Sequence, residues 1–216
     1  GTEHRFYSMT MTVCSLMLAW VSSLFLGDSQ MDERLERRLL ERSDALLNQA
    51  MLLLAAQPRA LFLGQNVAYD GNVMFKHLDG VPMAQRLELP VCEELQMGMS
   101  IGLALQGFLP ISVYPRMDFL LLAMNQLVNH LDKLPYMSRG QYSPKVIIRT
   151  KVGSKHPLNA GPQHTQDHTE AFRAMLTTVA VERITEAAFI LPAYQRALDR
   201  SESTLIVENL EGYHAR

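Results

Sequence analysis

Residues 93–114, EELQMGMSIGLALQGFLPISVY, contain the pattern of a helix, a glycine stop and a buried strand in direct succession. Glu93 and Glu94 suit the first turn of a helix, where carboxylates meet free backbone amides. Gly107 follows the last helical turn, a position at which glycine often ends a helix. Leu109–Tyr114 is an apolar run of the length of a strand. The stretch is therefore predicted to form a helix that leads into a buried strand.

The alternation of helix and strand continues in both directions from this stretch. Apolar residues recur at helical spacing between Asp32 and Pro58. Further helices are predicted at 118–133, 169–175 and 185–200, and further strands at 60–64, 145–150, 178–184 and 203–208. Strands that alternate with helices form a mainly parallel sheet with helices on both faces. The predicted fold is α/β, with a sheet between two layers of helices in a three-layer α/β/α arrangement.

A parallel sheet also predicts where a binding site lies. In open α/β sheets, ligands bind at the carboxyl ends of the strands. Three loops follow predicted strands and carry polar or aromatic side chains: Gln65–Lys76, Tyr114–Asp118 and Lys151–His168. We expect the functional residues to come from these loops and from the helix that begins at Glu93.

The composition excludes several classes of protein. The chain has 216 residues, with 20 Lys and Arg against 22 Asp and Glu, so its net charge is −2. A chain with 48% apolar residues can build a core, and a balanced charge argues against a nucleic-acid partner. Two cysteines cannot form a disulfide framework or a cysteine-rich zinc site. A reducing compartment, by default the cytoplasm, is expected ahead of the mitochondrial matrix or a membrane.

The segment Met9–Leu26 contains no charged residue and suggests five interpretations. It has the length of a short membrane anchor or of the core of an export signal. Its serines and threonines instead favour a buried helix, an interface helix or a non-native leader, and a membrane partner is not favoured. Residues 1–30 are accordingly treated as a separate apolar segment and residues 31–216 as the domain.

The residues that could carry chemistry are individually ambiguous. Glu93 by itself is typical of a helix N-terminus. Gly98 and Gly102 are spaced for close packing against a neighbouring helix. His164 lies in a loop after a strand, where a histidine can act as an acid or a base. The histidines of this loop are loosely spaced and have no cysteine nearby, so no metal site is predicted.

Taken together, six segments resemble the beta subunit of the pyruvate and branched-chain 2-oxo acid dehydrogenases. More narrowly, they resemble its pyrimidine-binding domain, which transketolases share in outline. The resemblance covers about residues 41–216 and keeps the family's order. Its segments are FLGQNVAYDG (62–71), LPVCE (89–93) with the glycine-containing helix that follows, residues 118–129, MSRGQY (137–142) with KVIIRT, GPQHTQ (161–166) and the tail from residue 204.

The resemblance implies a cofactor and roles for five residues. The family uses thiamine diphosphate, bound between two domains, and Glu93 matches the glutamate that hydrogen-bonds its aminopyrimidine. Phe119 matches an aromatic residue that lines the pyrimidine, with Tyr114 nearby, and His164 matches a histidine that reaches the substrate. Gln65 stands where the family has a second glutamate, and an amide can hydrogen-bond but cannot carry a proton.

The resemblance also implies partners and a reaction. The Mg²⁺ and diphosphate site belongs to an alpha-like subunit and is marked there by a G-D-G motif with a later Asn. In this chain, Gly27-Asp28-Ser29 resembles that motif only weakly. The chain stops where the family's carboxyl-terminal domain would begin, so that domain is expected to be absent. We expect a heterodimer or heterotetramer that decarboxylates a 2-oxo acid and transfers the acyl group to lipoamide or a similar acceptor on an acyl-carrier or lipoyl partner. Alternatives are a two-component carboligase that forms acyloins or ketols, and a degenerate, non-catalytic assembly subunit.

Overall fold

The structure is a computed structural model that describes residues 38–71, 73–154 and 159–210. The Met9–Leu26 segment and the Gly27-Asp28-Ser29 motif lie outside the described residues. The described residues from Arg42 onward form one compact unit. Among the described helices, none combines the length and the apolar character needed to cross a bilayer.

The strands and helices alternate along the chain. Helix α1 covers residues 38–55. The strands are β1 (Ala60–Gly64), β2 (Arg86–Glu88), β3 (Leu109–Tyr114), β4 (Ile147–Lys151), β5 (Ala180–Ile184) and β6 (Thr204–Glu208). The remaining α-helices are α2 (Val73–Lys76), α3 (Glu93–Leu105), α4 (Met117–Leu120), α5 (Leu134–Met137), α6 (Thr169–Met175) and α7 (Ile190–Asp199). Short 3₁₀ turns occupy Met83–Gln85, Leu121–Ala123 and Ala187–Phe189.

The six strands form one sheet in the order β2-β1-β3-β4-β6-β5, and every pair is parallel. The predicted α/β fold with a mainly parallel sheet is therefore confirmed. In register, Gly64 lies beside Val113, and Lys151 lies beside Glu208. The carboxyl ends of all the strands consequently meet at one edge, and the three predicted loops leave the sheet there.

Two apolar clusters cover the two faces of the sheet and make the three layers. One cluster contains α1 and α7, and the other contains α3, the helical stretch 117–131 and α6. Neighbouring side chains of β4 point to opposite faces, so that Ile147 belongs to the first cluster and Ile148 to the second. Each fully buried large apolar side chain stabilises the fold by about 1.5–3 kcal/mol.

Several elements differ from the sequence-based expectation. Arg86–Glu88 forms strand β2, although three residues are too few to show a strand pattern. The predicted helix 118–133 is broken, and its second half, Asn125–Leu131, is a wider π-helix. The expected close packing at Gly98 and Gly102 is not met within the described part of the chain. A Cβ at Gly98 would meet only the Gln126 side chain, at 3.8 Å, and one at Gly102 would meet nothing within 4 Å.

The layer between the sheet and α1 and α7 contains a buried ionic network. Arg149 of β4 donates two hydrogen bonds to the carboxylate of Glu208, at 2.7 and 3.2 Å. The Arg149 guanidinium also donates to Nδ1 of His77, 2.7 Å away. Since arginine can only donate, the proton of His77 resides on Nε2, which donates to Asp44 at 3.0 Å. The network therefore links α1 to the centre of the sheet.

The opposite layer contains a buried carboxylate that caps a turn. Asp132 has no exposed surface, and its Oδ1 accepts hydrogen bonds from the backbone amides of Thr177, Thr178 and Val179 at 2.7–2.9 Å. Burial by itself would raise the pKa of Asp132. The hydrogen bonds from Lys133 and from this turn outweigh burial and hold the pKa well below its ordinary value. The turn that precedes β5 thus depends on an ionised Asp132.

We predict that Asp132→Ala lowers the free energy of unfolding by about 3 kcal/mol, because three backbone amides of the turn lose their buried acceptor. Chemical denaturation at neutral pH measures the loss. Since the folded-state pKa is lowered, the contribution of Asp132 is complete above the pKa of the unfolded state. It fades as the pH falls below about 4.

The matched control is Asp199→Ala, which removes an exposed carboxylate bonded to Gln195 and should change stability little. Asp132→Asn should differ from the wild type at pH 6 and approach it in acid. A constant difference between these two proteins from pH 6 to pH 3 would contradict the assigned role.

Candidate active site

The candidate site lies above the carboxyl ends of β1 and β3, where these two strands approach each other closely. A Cβ at Gly64, the last residue of β1, would lie 2.3 Å from the carbonyl oxygen of Val113 and 3.1 Å from Nε2 of Gln96. The backbone of Gly64 has φ +149°, which side-chain-bearing residues rarely adopt. Glycine is therefore required here, and the chain turns directly into Gln65.

The buried amide of Gln96 joins helix α3 to both strands. Its Nε2 lies 3.3 Å from the carbonyl oxygen of Leu63, 3.0 Å from Oγ of Ser112 and 3.0 Å from the carbonyl oxygen of Val113. Gln96 lies one turn after Glu93 on the same face of the helix. The amide thereby fixes the first turn of α3 over the carboxyl ends of β1 and β3.

Glu93 is the first residue of α3 and is only 5% exposed. Nε2 of Gln65 donates a hydrogen bond to Oε1 of Glu93 over 3.1 Å. The hydroxyl of Tyr114 donates to the backbone carbonyl of Glu93 over 3.2 Å. Burial, with the nearby negative charge of Glu93 as a further cause, raises the pKa of Tyr114 far above its ordinary value, so Tyr114 stays a hydrogen-bond donor.

Glu88 fixes the loop that presents Gln65, a role that no sequence pattern indicates. Its carboxylate accepts hydrogen bonds from the backbone amides of Asn66, Val67 and Ala68, at 2.7, 2.9 and 2.8 Å. The short strand β2 brings this carboxylate to the end of β1. A carboxylate bound by successive amides holds a loop more firmly than a neutral acceptor would.

Phe119 and His164 form the second half of the site. Their rings are 5.4 Å apart between centroids and nearly perpendicular, at 82°, in an edge-to-face contact. Arg116 donates from Nη1 to the backbone carbonyl of His164 over 3.2 Å. Gly153 allows this approach, because a Cβ there would fall 1.8 Å from the same carbonyl oxygen.

The structure thus gathers the five predicted site residues at one edge of the sheet. Gln65 and Tyr114 each donate a hydrogen bond to Glu93, and Phe119 contacts His164. Tyr114 ends β3 and Phe119 lies in the helix that follows, so the two groups are joined through residues 115–118. His156, another histidine of the loop Lys151–His168, lies outside the described residues. The residues that are described contain no group of three His, Cys, Asp or Glu side chains able to hold a metal ion.

Sequence comparisons identify relatives of the chain. The chain is 38% identical over 122 residues to the chloroplastic pyruvate dehydrogenase E1 component subunit beta-3 of Arabidopsis thaliana, covering 55% of this chain and 29% of that protein. It is 29% identical over 170 residues to the 3-methyl-2-oxobutanoate dehydrogenase subunit beta of Mycobacterium tuberculosis, covering 76% of this chain and 47% of that protein. The chain is homologous to these beta subunits.

The resemblance inferred from the six segments is therefore confirmed. No protein-family model matches the chain. The chain spans less than half the length of each of the two beta-subunit relatives described.

Solved structures share the fold of this chain. A protein described as a split gene transketolase, inactive beta4 tetramer, matches with a TM-score of 0.58 at 14% identity, over 77% of this chain and 50% of that chain. The transketolase of Campylobacter jejuni matches with a TM-score of 0.56 at 18% identity, over 77% of this chain and 25% of that chain. At these identities the matches establish the transketolase-like fold.

We predict that Gly64→Ala lowers the free energy of unfolding by about 1–3 kcal/mol, because the new methyl group forces β1 away from β3. The displacement also moves Gln65 away from Glu93. Urea denaturation and the change in the Gln65 side-chain amide resonance measure the two effects.

Gly102→Ala is the matched control, since a Cβ there meets nothing within 4 Å. Alanine should raise the stability of the isolated chain by up to about 1 kcal/mol through helix propensity. Equal destabilisation by both substitutions would show that close approach at Gly64 is not the cause.

Proposed function

We propose that the chain supplies the pyrimidine-binding half of a two-component thiamine diphosphate enzyme. With an alpha-like partner it decarboxylates a 2-oxo acid and transfers the acyl group to lipoamide or a similar acceptor. The observation that carries the proposal is the buried Glu93 carboxylate at the start of α3, bonded to Gln65 at the carboxyl edge of the sheet. The activities for which the beta-subunit relatives are named support the reaction class.

The residues around Glu93 fit an aminopyrimidine. A ring nitrogen that carries a proton needs a carboxylate acceptor, and Glu93 offers one in a largely buried position. Gln65 donates to only one oxygen of that carboxylate, Oε1. Phe119 is partly exposed and offers an aromatic surface at the same edge of the sheet. The donor, acceptor and aromatic groups present are those that a planar heterocycle with ring nitrogens requires.

Each residue then has a distinct role. Glu93 holds a proton at the pyrimidine ring nitrogen, and Gln65 and Tyr114 orient Glu93 by hydrogen bonds to its carboxylate and its backbone. Phe119 lines the ring, and His164 faces the substrate. Thiamine diphosphate, when bound, supplies the carbanion and the electron sink that decarboxylation of a 2-oxo acid requires.

Gln65 sets a limit on proton movement. The Gln65 amide donates to Glu93 but has no proton that it can release. A proton held by Glu93 therefore cannot pass along this hydrogen bond. Proton exchange between two active sites of an assembly would have to use another route.

Exposed apolar side chains next to Glu93 support the need for a partner. Val91 is 76% exposed, Leu95 is 49% exposed and Leu122 is 62% exposed. Val91 and Leu95 flank Glu93 in sequence, and α3 packs against the helical stretch that contains Leu122. An alpha-like subunit that covers these side chains would also enclose the site around Glu93. It would supply the Mg²⁺ and diphosphate site, giving a heterodimer or a heterotetramer.

We predict that Glu93→Gln in the reconstituted pair lowers kcat by at least about 100-fold, because a neutral amide cannot hold the proton that the pyrimidine shares with a carboxylate. Release of CO2 from 2-oxo acids, followed in steady state, measures the loss. The fold should be unchanged, since the amide preserves the size of the side chain.

Glu94→Gln provides the matched control. Glu94 is exposed on the next position of α3 and contacts Asn125 and Gln126 at 3.4 Å. It should leave kcat within a factor of about 2, as expected for an exposed surface substitution. Full turnover with Glu93→Gln would instead favour the non-catalytic assembly subunit.

Cofactor binding should depend on the partner. We predict that the chain alone binds thiamine diphosphate and Mg²⁺ at least about 100-fold more weakly than the reconstituted pair, because the charged diphosphate and its metal lack their ligands. Isothermal titration of the chain, the partner and the pair measures the difference. Equally tight binding by the chain alone would refute this division of the site.

A further inference from the structure

The loop that carries His164 is joined to the start of α4 by side-chain contacts. Oδ1 of Asp118 accepts hydrogen bonds from Nε2 of Gln166 at 2.9 Å and from the backbone amide of Gln166 at 3.4 Å. Arg116 donates to the backbone carbonyl of His164, as described above. Both contacts place the described part of the loop, residues 159–168, beside the helix that begins just before Phe119.

A third contact continues the same pattern. The backbone amide of His168 lies 3.3 Å from Sδ of Met117. Three consecutive residues, 116–118, therefore contact three alternate residues at the end of the loop: His164, Gln166 and His168. Of the three contacts, the one between the side chains of Asp118 and Gln166 is the shortest, at 2.9 Å.

The burial of Asp118 shows how its carboxylate is used. Asp118 is 8% exposed, and its Oδ2 is buried with no hydrogen-bond partner among the described residues. Burying a carboxylate is costly unless it is hydrogen-bonded. In the described contacts, both bonds that compensate this burial come from Gln166. The bonding of Asp118 is therefore directed to the loop.

The other strong anchor of the loop does not involve the segment around Phe119. Asp167 accepts a hydrogen bond from Asn209 at 2.9 Å and forms an ion pair with Arg183 at 2.7 Å. These partners belong to β5 and to the residue after β6. They hold the loop to β5 and to the end of β6, and neither partner lies in the segment 116–119.

We propose that Asp118 is a positioning residue, whose hydrogen bond to Gln166 holds the ring of His164 against Phe119. The placement of His164 is independent of the reaction. Its consequence for turnover rests on the function proposed above, in which His164 faces the substrate.

Gln166→Ala and Asp118→Ala test the placement directly. Gln166 is exposed, so its substitution leaves the core intact even if Asp118→Ala fails to fold. Either variant should accelerate hydrogen exchange of the His164 backbone amide by about 10- to 100-fold, as expected when a hydrogen bond to a charged group is lost. The nuclear Overhauser contact between the rings of His164 and Phe119 should also be lost.

Two controls separate this role from a general loss of stability. Asp118→Asn retains an Oδ1 acceptor for Gln166, so it should keep the ring contact and lose less of the slow exchange than Asp118→Ala does. Gln195→Ala removes a hydrogen bond of the same type, 2.8 Å long, between Gln195 and Asp199 on α7. It should leave both readouts of His164 unchanged.

Each outcome decides the proposal. Wild-type exchange and an intact ring contact in Gln166→Ala would overturn it, and so would an Asp118→Asn variant that behaves like a folded Asp118→Ala. Loss of the ring contact in Gln166→Ala, with the contact kept in Asp118→Asn, would support it.

Activity of the reconstituted pair distinguishes the placement of His164 from the proposed function. We expect Gln166→Ala to lower kcat about 10-fold or more with KM changed less than 2-fold. A misplaced acid or base stabilises the transition state less, while substrate binding changes little. If the wild-type pair does not turn over 2-oxo acids but the exchange result holds, the proposed function fails and the placement of His164 stands.

Discussion

A single buried amide controls the geometry of the site. Gln96 bonds to the carbonyl of Leu63 on β1 and to Ser112 and Val113 on β3, so the first turn of α3 cannot move without breaking contacts to two strands. The position of Glu93 follows from this attachment. A carboxylate that must meet one ring nitrogen has to be held within a fraction of an ångström, and a loop residue would not be held so well. Gly64 is the other half of the constraint, because only a glycine lets β1 approach β3 closely enough for one amide to reach both.

Carboxyl side chains hold the parts of the chain that lack regular structure. Glu88 fixes the loop after β1, Asp118 fixes the loop that carries His164, and Asp132 fixes the turn before β5. Each carboxylate accepts backbone or amide hydrogen bonds from a separate part of the chain. The sheet needs no such help, because its backbone groups satisfy one another. Loops cannot do this for themselves, and a charged acceptor that receives several donors compensates at the points where the active-site side chains are presented.

Much of the fold could be predicted, since it depends on local patterns. The strands Ala60–Gly64 and Leu109–Tyr114 and the helix Thr169–Met175 begin and end where the sequence predicts. Strand β2 could not be found, because three residues show no period. The π-helical turn at Asn125–Leu131 escaped as well, because apolar residues of an α-helix and of a slightly wider helix recur at nearly the same spacing. Glu93 and His164 emerged as site residues through the resemblance, since each residue type has an ordinary structural explanation when it is considered alone.

The sequence by itself determined that the chain alternates strands with helices, and hence that its loops meet at one edge of a parallel sheet. It also determined the set of side chains available there, because the six segments keep their order. Only the tertiary structure decided which side chains touch. Glu88 reaches Asn66 across 22 residues, and Asp118 reaches Gln166 across 48 residues. Hydrogen bonds between residues so far apart depend on distances that the packing of helices on the sheet sets to within an ångström, and no local pattern encodes those distances.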